Sequence, residues 1–137
     1  MSQQNRDLVQ GVYDSFFRGD LEGVIARFDD NIEWRTPGAS DLPTAGVRRG
    51  RAQVRDFFQL LPTLFDFEEF KIETLVADGD RVVALGSETI IMKGTGSRIP
   101  MSWAHVYTIR NGKVVVFDEY LDTAAVAADY RAAIARA

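Results

Sequence analysis

The sequence has no cysteine and only one histidine, His105, in 137 residues. The first absence removes disulfides, thiolate metal sites and cysteine nucleophiles, and the second removes any multi-histidine metal centre. A structural metal and a bound cofactor are therefore not expected. An excess of positive charge is missing too. Sixteen Lys and Arg stand against twenty Asp and Glu, for a formal net charge of -4. Only Arg48, Arg49 and Arg51 cluster, so nucleic acid is not an expected partner. No apolar run approaches the length of a membrane span, and the polar start from Met1 to Asp7 carries no apolar signal core. The expectation is a cytoplasmic protein with no membrane partner. What is abundant is apolar and aromatic material, at 46% and 11% of the residues, enough for one sizeable core.

Apolar residues recur at helical spacing from Asp7 to Phe17, ending at Gly19. Asp20 is placed to cap a short second helix with Leu21, Val24, Ile25 and Phe28 on one face, and Asp29, Asp30 and Asn31 break it. A strand is expected over Ile32 to Thr36, and then a loop from Pro37 to about Gly50, long enough to act as a lid. A third helix buries Val54, Phe57, Phe58 and Leu61 and has Pro62 in its last turn. From Phe65 the period becomes two. A hairpin turns at Asp78-Gly79, Gly94 to Ser97 form a flexible crossing, and a second hairpin turns at Asn111-Gly112. Asp122 reads as the cap of an alanine-rich closing helix. The order implies an α+β fold in which helices cover one face of a curved, mixed but mainly antiparallel sheet.

This order resembles the nuclear transport factor 2-like superfamily. The likeness is carried by Gly19-Asp20-Leu21, Phe28-Asp29-Asp30, Trp34 through Pro37, and Arg110-Asn111-Gly112-Lys113-Val114. The ending Asp118-Glu119-Tyr120-Leu121-Asp122-Thr123-Ala124-Ala125 is similar to the SnoaL-like and ketosteroid-isomerase-related branch. The resemblance spans nearly the whole chain. It implies one cone-shaped domain over residues 1–137, with helices on the concave face of the sheet around a hydrophobic pocket.

The resemblance also discriminates among chemistries, because this fold hosts many. Ketosteroid isomerase has an aspartate base before the proline that follows the first strand, where this sequence has Thr36 before Pro37. Its first-helix tyrosine falls near Val12, and Tyr13 is rotated from that position by about 100° around the helix. The Arg-x-Asp of limonene epoxide hydrolase would be Trp103-Ala104-His105. SnoaL-like polyketide cyclases fit better, since their acid/base carboxylate lies on the last strand, where Glu119 stands, with Asp118 one slipped residue away.

The last hairpin admits two registers. A three-residue turn would set His105 opposite Phe117 and diagonal to Glu119, whereas a two-residue turn would face His105 with Asp118. The first is preferred, because it gathers Trp103, His105, Tyr107, Phe117 and Glu119 on one face as an aromatic pocket with two polar groups. It would also put Val114 and Val116 on the outer face, where a homodimer could form through the sheet. Glu119 and His105 are thus the candidate catalytic residues. Trp34, Thr36, Phe16, Phe57, Phe58, Trp103, Tyr107 and Phe117 are the candidate ligand-binding residues. Desolvation by aromatic walls brings a glutamate toward the range where it exchanges protons. The expected function is binding of a small apolar cyclic or polyketide-like molecule, with cofactor-independent isomerisation or aldol-type cyclisation. The alternative is a non-catalytic small-ligand binder or homodimerising module. Arg48, Arg49 and Arg51 could close over an anion, though a solvated loop is the plainer reading.

Overall fold

A computed structural model describes residues 2–136. The helices are α1 (Ser2–Phe17), α2 (Leu21–Ala26), α3 (Gly50–Leu64) and α4 (Thr123–Ala135). The strands are β1 (Phe28–Thr36), β2 (Gly46–Arg49), β3 (Phe65–Asp78), β4 (Arg81–Met92), β5 (Arg98–Arg110) and β6 (Lys113–Tyr120). They form one curved, unclosed sheet in the order β2-β1-β6-β5-β4-β3, in which only the β1–β6 pairing is parallel. The mixed α+β cone expected from the sequence is the architecture observed.

Capping fixes two of the helices. The Asp20 carboxylate accepts from the Gly23 amide at the start of α2, and Asp122 does the same for Ala125 at the start of α4. Helix α1 begins five residues earlier than its apolar stripe, at Ser2, and polar side chains support the extension: Gln3 donates to Asp7 across one turn at 2.8 Å. Strand β1 likewise begins at Phe28 instead of Ile32. Phe28 pairs with Val114, and the polar Asp29–Asn31 segment is absorbed as a register irregularity before Glu33.

The expected lid over 38–50 is not open. Its second half is β2, paired antiparallel with β1 from Thr36↔Gly46 to Glu33↔Arg49. With two arginines, a valine and a glycine, β2 has no alternation to announce it and exists through its partner. The first half folds into turns held by Leu42 and Ala45 amides, with Leu42 buried. The three arginines hold protein groups: Arg48 donates to the Pro43 and Thr44 carbonyls, Arg49 pairs with Glu33, and Arg51 donates to the Phe28 carbonyl and pairs with Asp30.

The last hairpin resolves its register in a way neither expectation contained. Asn111 and Gly112 form a two-residue turn with φ of 52° and 73°, the left-handed pair that such a turn requires, and Arg110 faces Lys113. A β-bulge then follows, since Ile109 faces Val114 but Thr108 faces Val116, leaving Val115 as the extra residue. Beyond the bulge His105 lies directly opposite Glu119, not opposite Phe117, while Val106 faces Asp118. Val114, expected on the outer face, is completely buried, and Val116 is half-buried.

Candidate functional site

Between the helices and the sheet lies a cavity of about 100 Å³. Strand alternation turns Glu88 and Ile90 of β4 toward it, on the same inward face as the buried Val82, Ala84 and Met92. His105 of β5 and Phe117 and Glu119 of β6 continue that face. Helix α1 contributes Tyr13 and Phe16, α3 contributes Phe57 and Phe58, β1 contributes Trp34, and Leu42 and Val126 close one end. The wall is apolar and rich in aromatic rings. Trp34 stacks on Phe117 with ring centres 3.7 Å apart, and Phe58 packs against Trp34 at 5.3 Å.

Three polar side chains hold one another inside this wall. The Tyr13 hydroxyl lies 2.7 Å from His105 Nδ1, and His105 Nε2 lies 3.2 Å from Glu119 Oε2. Burial, reinforced by Tyr107 and by the Glu119 charge, raises the Tyr13 phenol far above its ordinary range, so it keeps its proton. With the phenol donating to Nδ1, the proton of a neutral His105 ring lies on Nε2, where it is donated to the Glu119 carboxylate. The other carboxylate oxygen, Oε1, has no partner among the described residues. His105 is 7% exposed and the Glu119 side chain 21%, so the chain of contacts runs from the interior toward the more open part of the cavity.

The histidine ring is fixed from its sides as well as its ends. Trp103 stacks on it at 4.0 Å, and Phe70 stacks on Trp103 at 5.0 Å. Trp103 can lie flat over β4 because the facing residue is Gly86, where a Cβ would collide with the indole ring and with the Lys71 carbonyl. Tyr107, completely buried, packs edge-on to Tyr13 and to Phe117.

Of the residues singled out from the sequence, Glu119, His105, Trp34, Phe16, Phe57, Phe58 and Phe117 come together around the cavity. Thr36, Trp103 and Tyr107 do not line it. Thr36 is turned to the β1–β2 edge, its hydroxyl donating to the Thr44 carbonyl, while Trp103 and Tyr107 flank His105 on the same face of β5. Tyr13, although rotated about 100° from the position expected for the isomerase tyrosine, enters the site: both Val12 and Tyr13 are buried, and Tyr13 is the residue that reaches His105. The sequence reading also missed Glu88. Its signal was available, since it is the one charged residue on the inward alternation of β4, buried to 8% exposure. Burial and then the nearby Glu119 charge push its carboxyl up to about 8.

A curved six-stranded sheet with helices over an aromatic cavity defines a cone of the nuclear transport factor 2-like class, and known structures agree. An NTF2-like protein of Burkholderia xenovorans superposes with a TM-score of 0.85 at 31% identity, over 93% of this chain and 96% of that one. TerC co-crystallised with polyporic acid gives 0.83 at 23% identity, over 93% and 98%. A candidate SnoaL-like polyketide cyclase of Mesorhizobium loti gives 0.71 at 20% identity, over 83% and 96%. No functionally curated protein matches the chain in sequence. The SnoaL-like domain family model matches residues 9–117, and the chain belongs to that family.

Proposed function

We propose that the chain binds a small, largely apolar cyclic or polyketide-like molecule in this cavity and moves a proton on a carbon next to its carbonyl, without a cofactor. The observation that carries the reading is the Tyr13–His105–Glu119 chain inside an aromatic wall. Glu119 is the acid/base. Its Oε2 is held by the Nε2 proton of His105, which orients the carboxylate and leaves Oε1 for a substrate C–H. Tyr13 fixes the histidine tautomer from behind and keeps its own proton, so it positions and does not exchange. Removal of a proton by Oε1 yields an enolate and a neutral carboxyl, and return of that proton to a different carbon completes an isomerisation. Attack of the enolate on a second carbonyl of the same molecule instead closes a ring, and the alkoxide so formed takes the proton back from Glu119.

Acetophenone supplies the test through exchange of its methyl hydrogens in D₂O, followed by NMR. The protein is expected to accelerate exchange, and Glu119→Gln to lower that acceleration by about 10²–10⁴-fold while leaving acetophenone affinity within about twofold. Equal exchange rates in the two proteins would sink the assignment of Glu119.

A second reading, binding without chemistry, draws on Thr36. At the position of the ketosteroid isomerase base there is a hydroxyl already donated to a backbone carbonyl.

A further inference from the structure

Glu88 is a buried carboxyl that the proposed proton transfer does not use. It extends from β4 into the same cavity as Glu119, and no described protein group hydrogen-bonds its carboxyl. Neither oxygen is sealed off, because the fully enclosed polar side-chain atoms that lack a partner are the indole nitrogens of Trp34 and Trp103. Its place in the sheet is defined by register. Glu88 faces Met101 and Phe70, while Ala84 faces His105, so Glu88 lies four residues along β4 from the His105 position, roughly 13 Å at strand rise. The intervening inward position is Gly86, which has no side chain, and the Trp103 ring occupies that space. The cavity therefore has two polar stations on one face of the sheet, Glu88 on β4 and the His105–Glu119 pair across β5 and β6.

The surrounding charges decide what Glu88 can do. The ionisable residues that line the cavity are Tyr13 from α1, His105 from β5, Glu119 from β6 and Glu88 itself. Helices α3 and α4 contribute only apolar groups there, such as Phe58 and Val126, and no lysine or arginine reaches the lining. An anionic ligand head would thus meet two carboxyls and no cation. An ammonium head at the Glu88 station would need the ionised carboxylate there, the form that burial in an apolar wall disfavours. A carboxyl without a cation or donor beside it, in an apolar wall, keeps its proton and offers one hydrogen-bond donor.

The geometry points to Glu88 as a ligand-recognition residue that, as a neutral carboxylic acid, donates a hydrogen bond to an uncharged oxygen acceptor of the bound molecule. The ligand class follows: a neutral ketone, quinone or lactone oxygen at the Glu88 station, with anions excluded. The raised titration range of this carboxyl, near 8, agrees with a proton retained at neutral pH. This inference rests on the reading of the cavity as a ligand site and names what that site selects.

The test uses three probes with the same ring and different heads: acetophenone, benzoate and benzylamine. Affinities would be measured by calorimetry or ligand-observed NMR from pH 6 to 9.5, on the full chain and on Glu88→Gln and Glu88→Leu. Acetophenone is expected to bind best at pH 6–7 and to weaken by more than about tenfold by pH 9.5, as Glu88 ionises and its donor is lost. Glu88→Gln keeps a donor that cannot ionise, so it should bind acetophenone with no such alkaline loss. Glu88→Leu, apolar and compatible with burial, should bind it about tenfold more weakly at pH 7. Three results would overturn the inference and leave the cavity reading standing: benzoate or benzylamine binding as tightly as acetophenone, the same alkaline loss persisting in Glu88→Gln, or unchanged affinity in Glu88→Leu. Failure of every probe to bind any of the three proteins would overturn the ligand-site reading as well.

Discussion

At one station of the cavity Tyr13, His105 and Glu119 hold one another through contacts of 2.7 and 3.2 Å, whereas four residues along the floor Glu88 has no described protein partner. Both stations lie on the same sheet face and share the same aromatic roof. The difference is in who completes them. At the first, the phenol, the ring and the carboxylate come with their tautomer and orientation set, a preorganised arrangement suited to proton traffic. At the second, a buried carboxyl bears the desolvation penalty alone and is completed only by a guest. The first station is complete within the protein, and the second is not.

The largest expected effect that sharpens this contrast comes from pH. The folded-state titration of Glu88 is raised to about 8, above its unfolded value, so its contribution favours folding at low pH. That contribution is fully present below about 4.5 and is lost as pH rises through about 8, on the order of a few kcal/mol. Chemical denaturation at pH 5 and pH 9 should show this decline in the natural chain and a much flatter profile in Glu88→Leu. Equal slopes would mean that Glu88 is not the unfinished group described.

A somewhat smaller effect should follow from Gly86→Ala. The added methyl meets the Trp103 ring and the Lys71 carbonyl, an overpacking expected to cost about 2 kcal/mol in denaturant titrations. It should also broaden or shift the His105 ring resonances, because Trp103 stacks on that ring. A variant as stable as the natural chain, with unchanged His105 signals, would show that the rigid station does not depend on the indole. The smallest effect expected is that of Tyr13→Phe. Loss of one buried hydrogen bond to His105 Nδ1 should cost about 1 kcal/mol, with a modest fall in acetophenone exchange and no change at Glu88. A change in the Glu88 pH profile in this variant would break the separation of the two stations.

The fold was legible because period and punctuation agreed along most of the chain. The caps at Asp20 and Asp122, the turn at Asn111-Gly112 and the alternation in β4 and β5 all lie where local chemistry puts them. Strand β2 was not legible, since Gly46–Arg49 is held by pairing to β1 and by no pattern of its own. The site was half legible. His105 and Glu119 could be put on one face by alternation, but the distance between them depended on a bulge that no residue type at Val114–Val116 announces. Tyr13 was discarded by a helical-wheel argument that is sound for angle and silent about how α1 rolls on the sheet. That roll buries both Val12 and Tyr13. Glu88 was passed over although alternation placed it inward, because a charged residue in a strand is ordinarily a solvated one.

The bulge at Val115 has a further consequence, which concerns parity. Side chains on a strand alternate in twos, so adding one residue to a hairpin exchanges the faces of everything beyond it, unless another one-residue irregularity restores the count. Here a two-residue turn plus one bulged residue gives Glu119 the same face as a three-residue turn with no bulge. Turn length and bulge number can therefore drift between relatives as long as their sum stays odd. The position of an inward carboxylate in such hairpins is better counted from its partner across the sheet than from the glycine of the turn.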